Sequence, residues 1–312
     1  MKRTGIKQKD KLVKAGHEKN IIFHADDFAA NEEISRHILD CHTKGALTSL
    51  SVLANSAYLE PCMEMLAPYR KEIAVSIHFN LAEGHCLSDP SQVPLLVDER
   101  GMFHISFFKV LLLSYTGRRG ELKRQIKAEM HAQLERMLPH VDTLRIDSHQ
   151  HYHMIPLVLS GILEAVEEVR REYPQEPLPV DYVRIPAEPL APFVRHPEFY
   201  ATYRPINLIK HIVLHVLNQM DRRLLAPYRS KSAVFFGILL SGKMDLRRVS
   251  ALLPEFRKIA ERKGLPLEVL CHPGGVRKAE RLMDMENKDC VEFYTSDGRK
   301  IEKNMMRKVK AD

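Results

Sequence analysis

The stretch Thr143-Leu-Arg-Ile-Asp-Ser-His-Gln-His-Tyr-His153 reads as a short strand of alternating apolar residues that runs straight into a carboxylate and three imidazoles. Side chains two apart on an extended chain point to the same side, so Asp147, His149, His151 and His153 are expected to project from one face. Polar groups that lose water need partners. A divalent cation is the simplest partner for this set, because neutral imidazole is the commonest metal-binding side chain and closely spaced histidines form a known ligand pattern. The competing reading is a solvated His-rich loop with one or two ring nitrogens bonded to backbone.

Upstream of that stretch, Asn20-Ile-Ile-Phe-His-Ala-Asp-Asp-Phe28 is a buried-strand run ending in the adjacent acids Asp26 and Asp27. A helical pattern opens at Asn31-Glu-Glu and stops at Gly45, followed by a strand over 47–53, a helix over 57–66 and a strand over 72–78 that ends in His78. This is the βαβ rhythm of a parallel sheet. Residues 81–104 carry Gly and Pro without a period and form a long loop at the His78 end. An amphipathic helix over 120–138 then feeds the His-rich strand.

Downstream, the pattern gives a helix over 156–173, a strand over 180–186 with Arg184 near its end, and a helical excursion within 187–232. It continues with a strand over 233–240, a helix over 246–263 and a last strand over 267–272 that ends in His272 before Pro273-Gly-Gly275. The remainder reads as a closing helix and a loose tail. Asp26 and Asp27, His78, Asp147 to His153, Arg184 and His272 thus all fall at the C-terminal ends of strands, the rim where (β/α) barrels gather catalytic groups. The expected fold class is α/β, a (β/α) barrel variant, TIM-like and incomplete or distorted, with a helical excursion late in the chain. Without a repeat or linker, the organisation is a basic N-terminal tail over 1–19 and a single domain over 20–312.

The chain has 312 residues, 45% of them apolar, enough for a substantial core, and a formal charge of +7. The excess sits at the ends, with seven basic residues in the first 20 and six in the last 14. No nucleic-acid motif or aromatic-interleaved basic patch accompanies it, so solvated ends are expected and no nucleic-acid partner. Five scattered cysteines without a Cys-x-x-Cys fit a reducing compartment. The N-terminus carries no apolar run, and the most apolar stretches, around 206–217 and 233–240, are too short to span a bilayer. A cytoplasmic protein without a membrane partner is expected, with a homodimer as one candidate assembly.

Two imidazoles and one carboxylate around a metal leave positions open for water and substrate, the layout of a hydrolytic site. A second carboxylate can then take the proton of the activated water. The adjacent Asp26 and Asp27 suit that division, although an Asp pair also serves as a helix N-cap with a solvated neighbour. His272 suits a proton donor to a leaving group, or else a strand-end residue bonded to backbone. Arg184 suits orientation of the base or of a substrate oxyanion, or else a structural ion pair.

The blocks Ala25-Asp-Asp-Phe28, Gly45-Ala-Leu-Thr-Ser49, Ser76-Ile-His-Phe-Asn-Leu-Ala-Glu-Gly84, Ile146-Asp-Ser-His-Gln-His-Tyr-His153 and Glu268-Val-Leu-Cys-His-Pro273 resemble, in order, those of the YdjC/ChbG-like carbohydrate deacetylases. The resemblance covers roughly 20–275. It implies a metal-dependent hydrolase that removes acetyl groups from N-acetylated sugars such as chitooligosaccharides. Carried over by position, Asp27, His78 and His149 hold one divalent ion, magnesium by resemblance, with Asp26 as base and His272 as acid or stabiliser of the developing charge. The donor set also suits zinc or cobalt, since magnesium prefers oxygen.

Ala29 stands where the family commonly has glycine, and Arg145 where relatives can have histidine. Arg145 is expected to point away from the site. The segments 187–232 and beyond 275 follow the family poorly. The rival readings are another metal-dependent amidohydrolase or phosphoesterase, with His151 and His153 on the metal, and a non-catalytic sugar-binding relative.

Overall fold

The computed structural model describes residues 20–175, 178–276, 282 and 288–309; the basic tail expected over 1–19 lies outside the described residues. Seven strands, β1 (Ile21–Phe28), β2 (Ser49–Leu53), β3 (Ala74–Phe79), β4 (Leu144–Ser148), β5 (Val180–Val183), β6 (Val234–Phe236) and β7 (Leu267–Cys271), form one sheet in the order β5-β4-β3-β2-β1-β7-β6. Every pairing is parallel. Ten helices flank the sheet in the described residues. They are α1 (Glu32–Thr43), α2 (Leu59–Leu66), α3 (Phe107–Leu113), α4 (Arg119–Met137), α5 (Pro156–Glu172), α6 (Ala191–Val194), α7 (Pro205–Met220), α8 (Leu246–Lys263), α9 (Lys288–Thr295) and α10 (Asp297–Lys308).

Local chemistry sets the element ends. Asn31 accepts from the Ile34 amide at 2.8 Å and caps α1, whose apolar stripe Ile34, Ile38 and Cys41 is buried. Asp245 caps α8 at its start and Gly264, at φ 62, ends it in the left-handed region. Pro156 opens α5 at the position where a missing N–H costs nothing.

The sheet curls. Tyr182 on β5 donates its hydroxyl to Glu268 on β7, and Arg184, just past β5, reaches Asp26 on β1. Those strands are separated by three or four others in the sheet order, so a flat sheet could not bring them together. The edges β5 and β6 are not paired. The 3-10 turn over 226–231 bridges them, with Lys231 Nζ donating to the Val180 carbonyl at 2.7 Å. The expected barrel variant is therefore an open, seven-stranded parallel one. No helix among the described residues is long and apolar enough to cross a membrane.

Two expectations need correcting, and one element is new. The strand expected over 233–240 stops at Phe236, because the buried Glu188 carboxylate takes the amides of Gly237, Ile238 and Leu239 at 2.6, 3.1 and 2.9 Å, leaving none for a ladder. Past residue 275 the described chain forms α9 and α10 in place of one closing helix and a loose tail. The short helix α3, after the long loop, was not anticipated.

At the end of β1 the pairing with β2 slips between Ala25 and Phe28, and Asp27 and Ala29 take φ of 67° and 71°. Adjacent residues of a regular strand face opposite ways. The left-handed turn at Asp27 brings its carboxylate round to the side of Asp26, so that each lies within 4 Å of His78 Nε2. Ala29 is held there by the Ser35 hydroxyl on its amide and the Ser56 hydroxyl on its carbonyl.

Because Ala29 already occupies a glycine-favouring conformation, Ala29→Gly is expected to leave the melting temperature unchanged or raised, where an ordinary Ala→Gly costs up to about 1 kcal/mol. Ala29→Val, with a β-branched side chain at positive φ, is expected to lose several degrees in the same calorimetric scan. A second expectation concerns Asp221, at the end of α7, whose carboxylate oxygens are buried without a partner. Burial pushes this carboxyl up from 3.8 to about 7. Its folded-state proton therefore stabilises fully below pH 3.8, and that contribution is gone above about pH 7. Melts at pH 5 and pH 8 should show the wild type losing more stability on the alkaline side than Asp221→Asn.

Candidate metal and catalytic site

The mouth is built from strand ends. Asp27 Oδ1 lies 3.7 Å from His78 Nε2 and 3.2 Å from His149 Nδ1. One donor atom from each of the three residues falls within 4.8 Å of the others, and all three side chains are buried. Asp27, His78 and His149 can therefore hold one divalent ion.

Each of these donors is held from behind. Asp147 Oδ1 takes the far nitrogen of His78, Nδ1, at 2.6 Å, and Glu83 Oε1 lies 3.5 Å from His149 Nε2. Arg299, on α10, donates to the outer oxygen of Asp27 at 2.7 Å and to the Gly274 carbonyl at 2.7 Å. Gly274 is glycine of necessity: its φ is 83°, and a Cβ there would sit 2.2 Å from His37 Cβ. Tyr294, on α9, donates to Glu83 Oε1 at 2.5 Å. A carboxylate on the remote nitrogen of a liganding imidazole fixes its tautomer and raises its basicity, a common feature of metal sites.

Beside this group sits a second one. Arg184 binds Asp26 with both terminal nitrogens, at 2.9 and 3.0 Å, while its Nε donates to Glu268 at 2.7 Å and Nη2 lies 3.3 Å from Asp147 Oδ2. His24 Nε2 is 2.6 Å from the Ser51 hydroxyl and 3.3 Å from Asp26 Oδ1, and Ser51 donates to Asp147 at 2.5 Å. His272, the most accessible of these groups at 16% exposure, faces Asp26 Oδ2 at 4.0 Å, with its other nitrogen 3.6 Å from Glu302.

The electrostatics follow from burial set against charge. Burial alone would protonate Asp26, yet Arg184 and the neighbouring imidazoles outweigh it and hold the carboxyl well below the usual range. Asp147 is held down in the same way by Arg184 and His78. Burial opposes a proton on His149, but Glu83 and Asp27 push this imidazole up to about 8. A site that favours extra positive charge at this ring is one that favours a cation.

The His-rich stretch does not fold as the alternation implies. β4 ends at Ser148, and Gln150 and His151 adopt φ of 51° and 62° inside a 3-10 turn over 149–154, so the three imidazoles scatter and do not share one face with Asp147. His153 uses both nitrogens elsewhere, on the Ser148 hydroxyl at 2.6 Å and the Arg184 carbonyl at 3.0 Å, and burial drops it to about 4. His151 packs edge-on to Phe235 and is held well below the usual imidazole range by burial and Arg184. Arg145 points away, over the Tyr182 ring and 3.6 Å from Asp181.

Sequence reasoning missed Glu83, Glu268, Arg299, Glu302 and Tyr294. Glu83 and Glu268 carried a signal, a lone acid in an otherwise mostly apolar run, whereas Arg299 was one basic residue among many in a charged terminal segment.

The structure is thus an open parallel α/β barrel whose strand ends carry a buried donor set of two imidazoles and one carboxylate that could hold a metal ion. The chain belongs to the YdjC-like protein family, whose model matches residues 20–309. It is similar to proteins named carbohydrate deacetylase from Danio rerio (27% identity over 54% of this chain and 50% of that one), Thermoanaerobacter pseudethanolicus (28%, over 51% and 61%) and Brevibacillus brevis (30%, over 48% and 56%). The matched part thus spans about half of the length of these relatives. The fold also matches a solved structure from Enterococcus faecalis, of a protein named for cellobiose-phosphate cleavage, with a TM-score of 0.52 at 19% identity over 96% of this chain and 97% of that one.

Removing a rear partner should loosen the donor set. Asp147→Asn and Glu83→Gln are each expected to weaken divalent-ion affinity about 10- to 100-fold by titration calorimetry, with the melting temperature followed alongside to separate this from loss of fold.

Proposed function

We propose that the protein hydrolyses the acetamide of an N-acetylated sugar, giving acetate and the free amine. The observation that carries this reading is the juxtaposition at one mouth of the Asp27, His78 and His149 donor atoms with Asp26 and His272, which face each other at 4.0 Å. The names of the three relatives above support the same reading.

A divalent ion held by Asp27, His78 and His149 would supply a Lewis acid that polarises the acetyl carbonyl and acidifies a water. The donor chemistry suits zinc or cobalt, and magnesium is what the family resemblance implies. Asp26, kept ionised and fixed in plane by the two-pronged Arg184 contact, accepts the proton of the attacking water. Arg184 also lowers its basicity, which suits a base that works on an already acidic water. His272 stands on the accessible side with Nδ1 toward Glu302, so its Nε2 is the group that gives a proton to the departing nitrogen. The C–N bond breaks, the water oxygen ends in acetate, and the amine leaves with the proton from His272. The rival in which His151 and His153 take the metal is disfavoured, because both His153 nitrogens are already bonded within the protein.

Purified full-length protein loaded with a divalent ion is expected to release acetate from N-acetylglucosamine oligomers, to stop with a chelator and to recover on metal addition. Asp26→Asn should lower kcat by roughly 100- to 10,000-fold while metal affinity stays within a few-fold. Acetate release at the wild-type rate by Asp26→Asn, or phosphate release from simple esters in place of acetate, would contradict the assignment.

A further inference from the structure

Helix α7 carries apolar residues on both its inner and its outer face. Inward, the buried Leu214 and Leu217 are joined by three polar residues: His211 Nε2 bonds the Glu188 carbonyl at 2.8 Å, Asn207 Nδ2 donates to the Leu239 carbonyl at 3.4 Å, and Asn218 accepts from Arg229 at 3.4 Å. Outward, Ile209, Ile212 and Val216 are exposed at 50%, 55% and 53%, and Met220 continues the same stripe beside the exposed Lys210 and Gln219. A surface helix of a globular protein normally turns a polar face to solvent. A second exposed stripe lies on α3 and its end, where Phe108, Leu112 and Tyr115 are exposed at 60%, 68% and 60%. Both elements stand at the mouth. α7 contacts the 149–154 turn that carries His149, and the α3 segment is tied to that turn by the Tyr152 hydroxyl on the Ile105 carbonyl and by the Phe107–Tyr152 ring contact.

The charge around these stripes is mostly positive. From 198 to 231 the chain carries Arg204, Lys210, Arg222, Arg223, Arg229 and Lys231 against two acids, Glu198, which is bonded to His196, and Asp221, which is buried. From 105 to 121 it carries Lys109, Arg118 and Arg119 against Glu121, which pairs with Arg118. A second copy of the chain fits poorly: antiparallel pairing of α7 would set Arg204 against the Arg222 and Arg223 end of its twin, and parallel pairing would set each cation against itself. A polyanionic nucleic acid would meet the cations but leave the apolar stripes wet. An apolar face rimmed by cations fits a bilayer with anionic headgroups.

We propose that the outer faces of α7 and α3 seat the protein on an anionic phospholipid surface, with the catalytic mouth beside the membrane. The sequence pointed to no membrane partner because no stretch is long enough to span a bilayer, but lying on one requires only an amphipathic face.

The test is co-sedimentation of the full-length protein with phosphatidylcholine vesicles that do or do not contain phosphatidylserine. Binding is expected only with phosphatidylserine, to weaken roughly five-fold for each of Arg222→Gln and Arg223→Gln, and to disappear in Ile212→Asp/Val216→Asp, which should still cleave a soluble substrate. The proposal is overturned by no binding to the anionic vesicles. It is equally overturned if Ile212→Asp/Val216→Asp binds as tightly as the wild type, which would assign the binding to the basic chain ends. A dimer in sedimentation velocity that Val216→Asp splits, and that does not bind vesicles, would assign the stripe to a second copy.

Discussion

The Arg184 guanidinium is the contact on which the mouth depends. It is fully buried, and its donors tie Asp26 at the end of β1, Asp147 at the end of β4 and Glu268 on β7 into one network. A lone charge taken out of water costs several kcal/mol, so each carboxylate is tolerable only because the cation is there, and the cation only because of them. The same contacts span the sheet from β5 to β7 and hold its curl. Fold and site are in this sense one interaction: what closes the open barrel far enough to make a mouth also sets the plane of the Asp26 carboxylate.

Arg184 does not balance the mouth alone. Six buried carboxylates, Asp26, Asp27, Glu83, Asp147, Glu268 and Glu302, crowd this end of the barrel with two buried guanidiniums, Arg184 and Arg299. Some of the remaining charge is met by hydroxyls and amides, with Tyr294 on Glu83, Tyr182 on Glu268, and the Gly242 and His272 amides on Glu302. Asp27 and Glu83 also draw positive charge onto His149. A dication at Asp27, His78 and His149 would relieve the same excess, and the donor atoms that would reach it are those whose remote sides are already tied down. The physical case for a metal therefore rests as much on what stands behind Asp27, His78 and His149 as on the three residues themselves.

Much of this could be read from the sequence, because strand ends are legible by period and polarity. The runs ending in Asp26-Asp27, His78 and His272 gave the parallel arrangement and the shared rim without coordinates. The His-rich run misled because alternation holds only while the chain stays extended. Left-handed conformations at Gln150 and His151 break it two residues after the strand, so that His149 still reaches Asp27 while His153 is turned to the Arg184 carbonyl. Arg299 was invisible for a different reason. Its role depends on where α10 docks against β7 and α1, a tertiary fact with no local pattern, and a basic residue in a basic segment carries no signal. The outward apolar stripe of α7 was likewise hidden, since a helical period says which residues share a face but not which way that face turns.

The three-residue donor set is tested most directly by X-ray absorption at the metal edge of cobalt- or zinc-loaded protein, comparing the wild type with His149→Ala and His151→Ala. Two imidazole nitrogens with oxygen donors are expected in the wild type, one imidazole in His149→Ala, and no change in His151→Ala. A wild-type shell without imidazole, or one that loses its imidazole only in His151→Ala, would contradict that donor set.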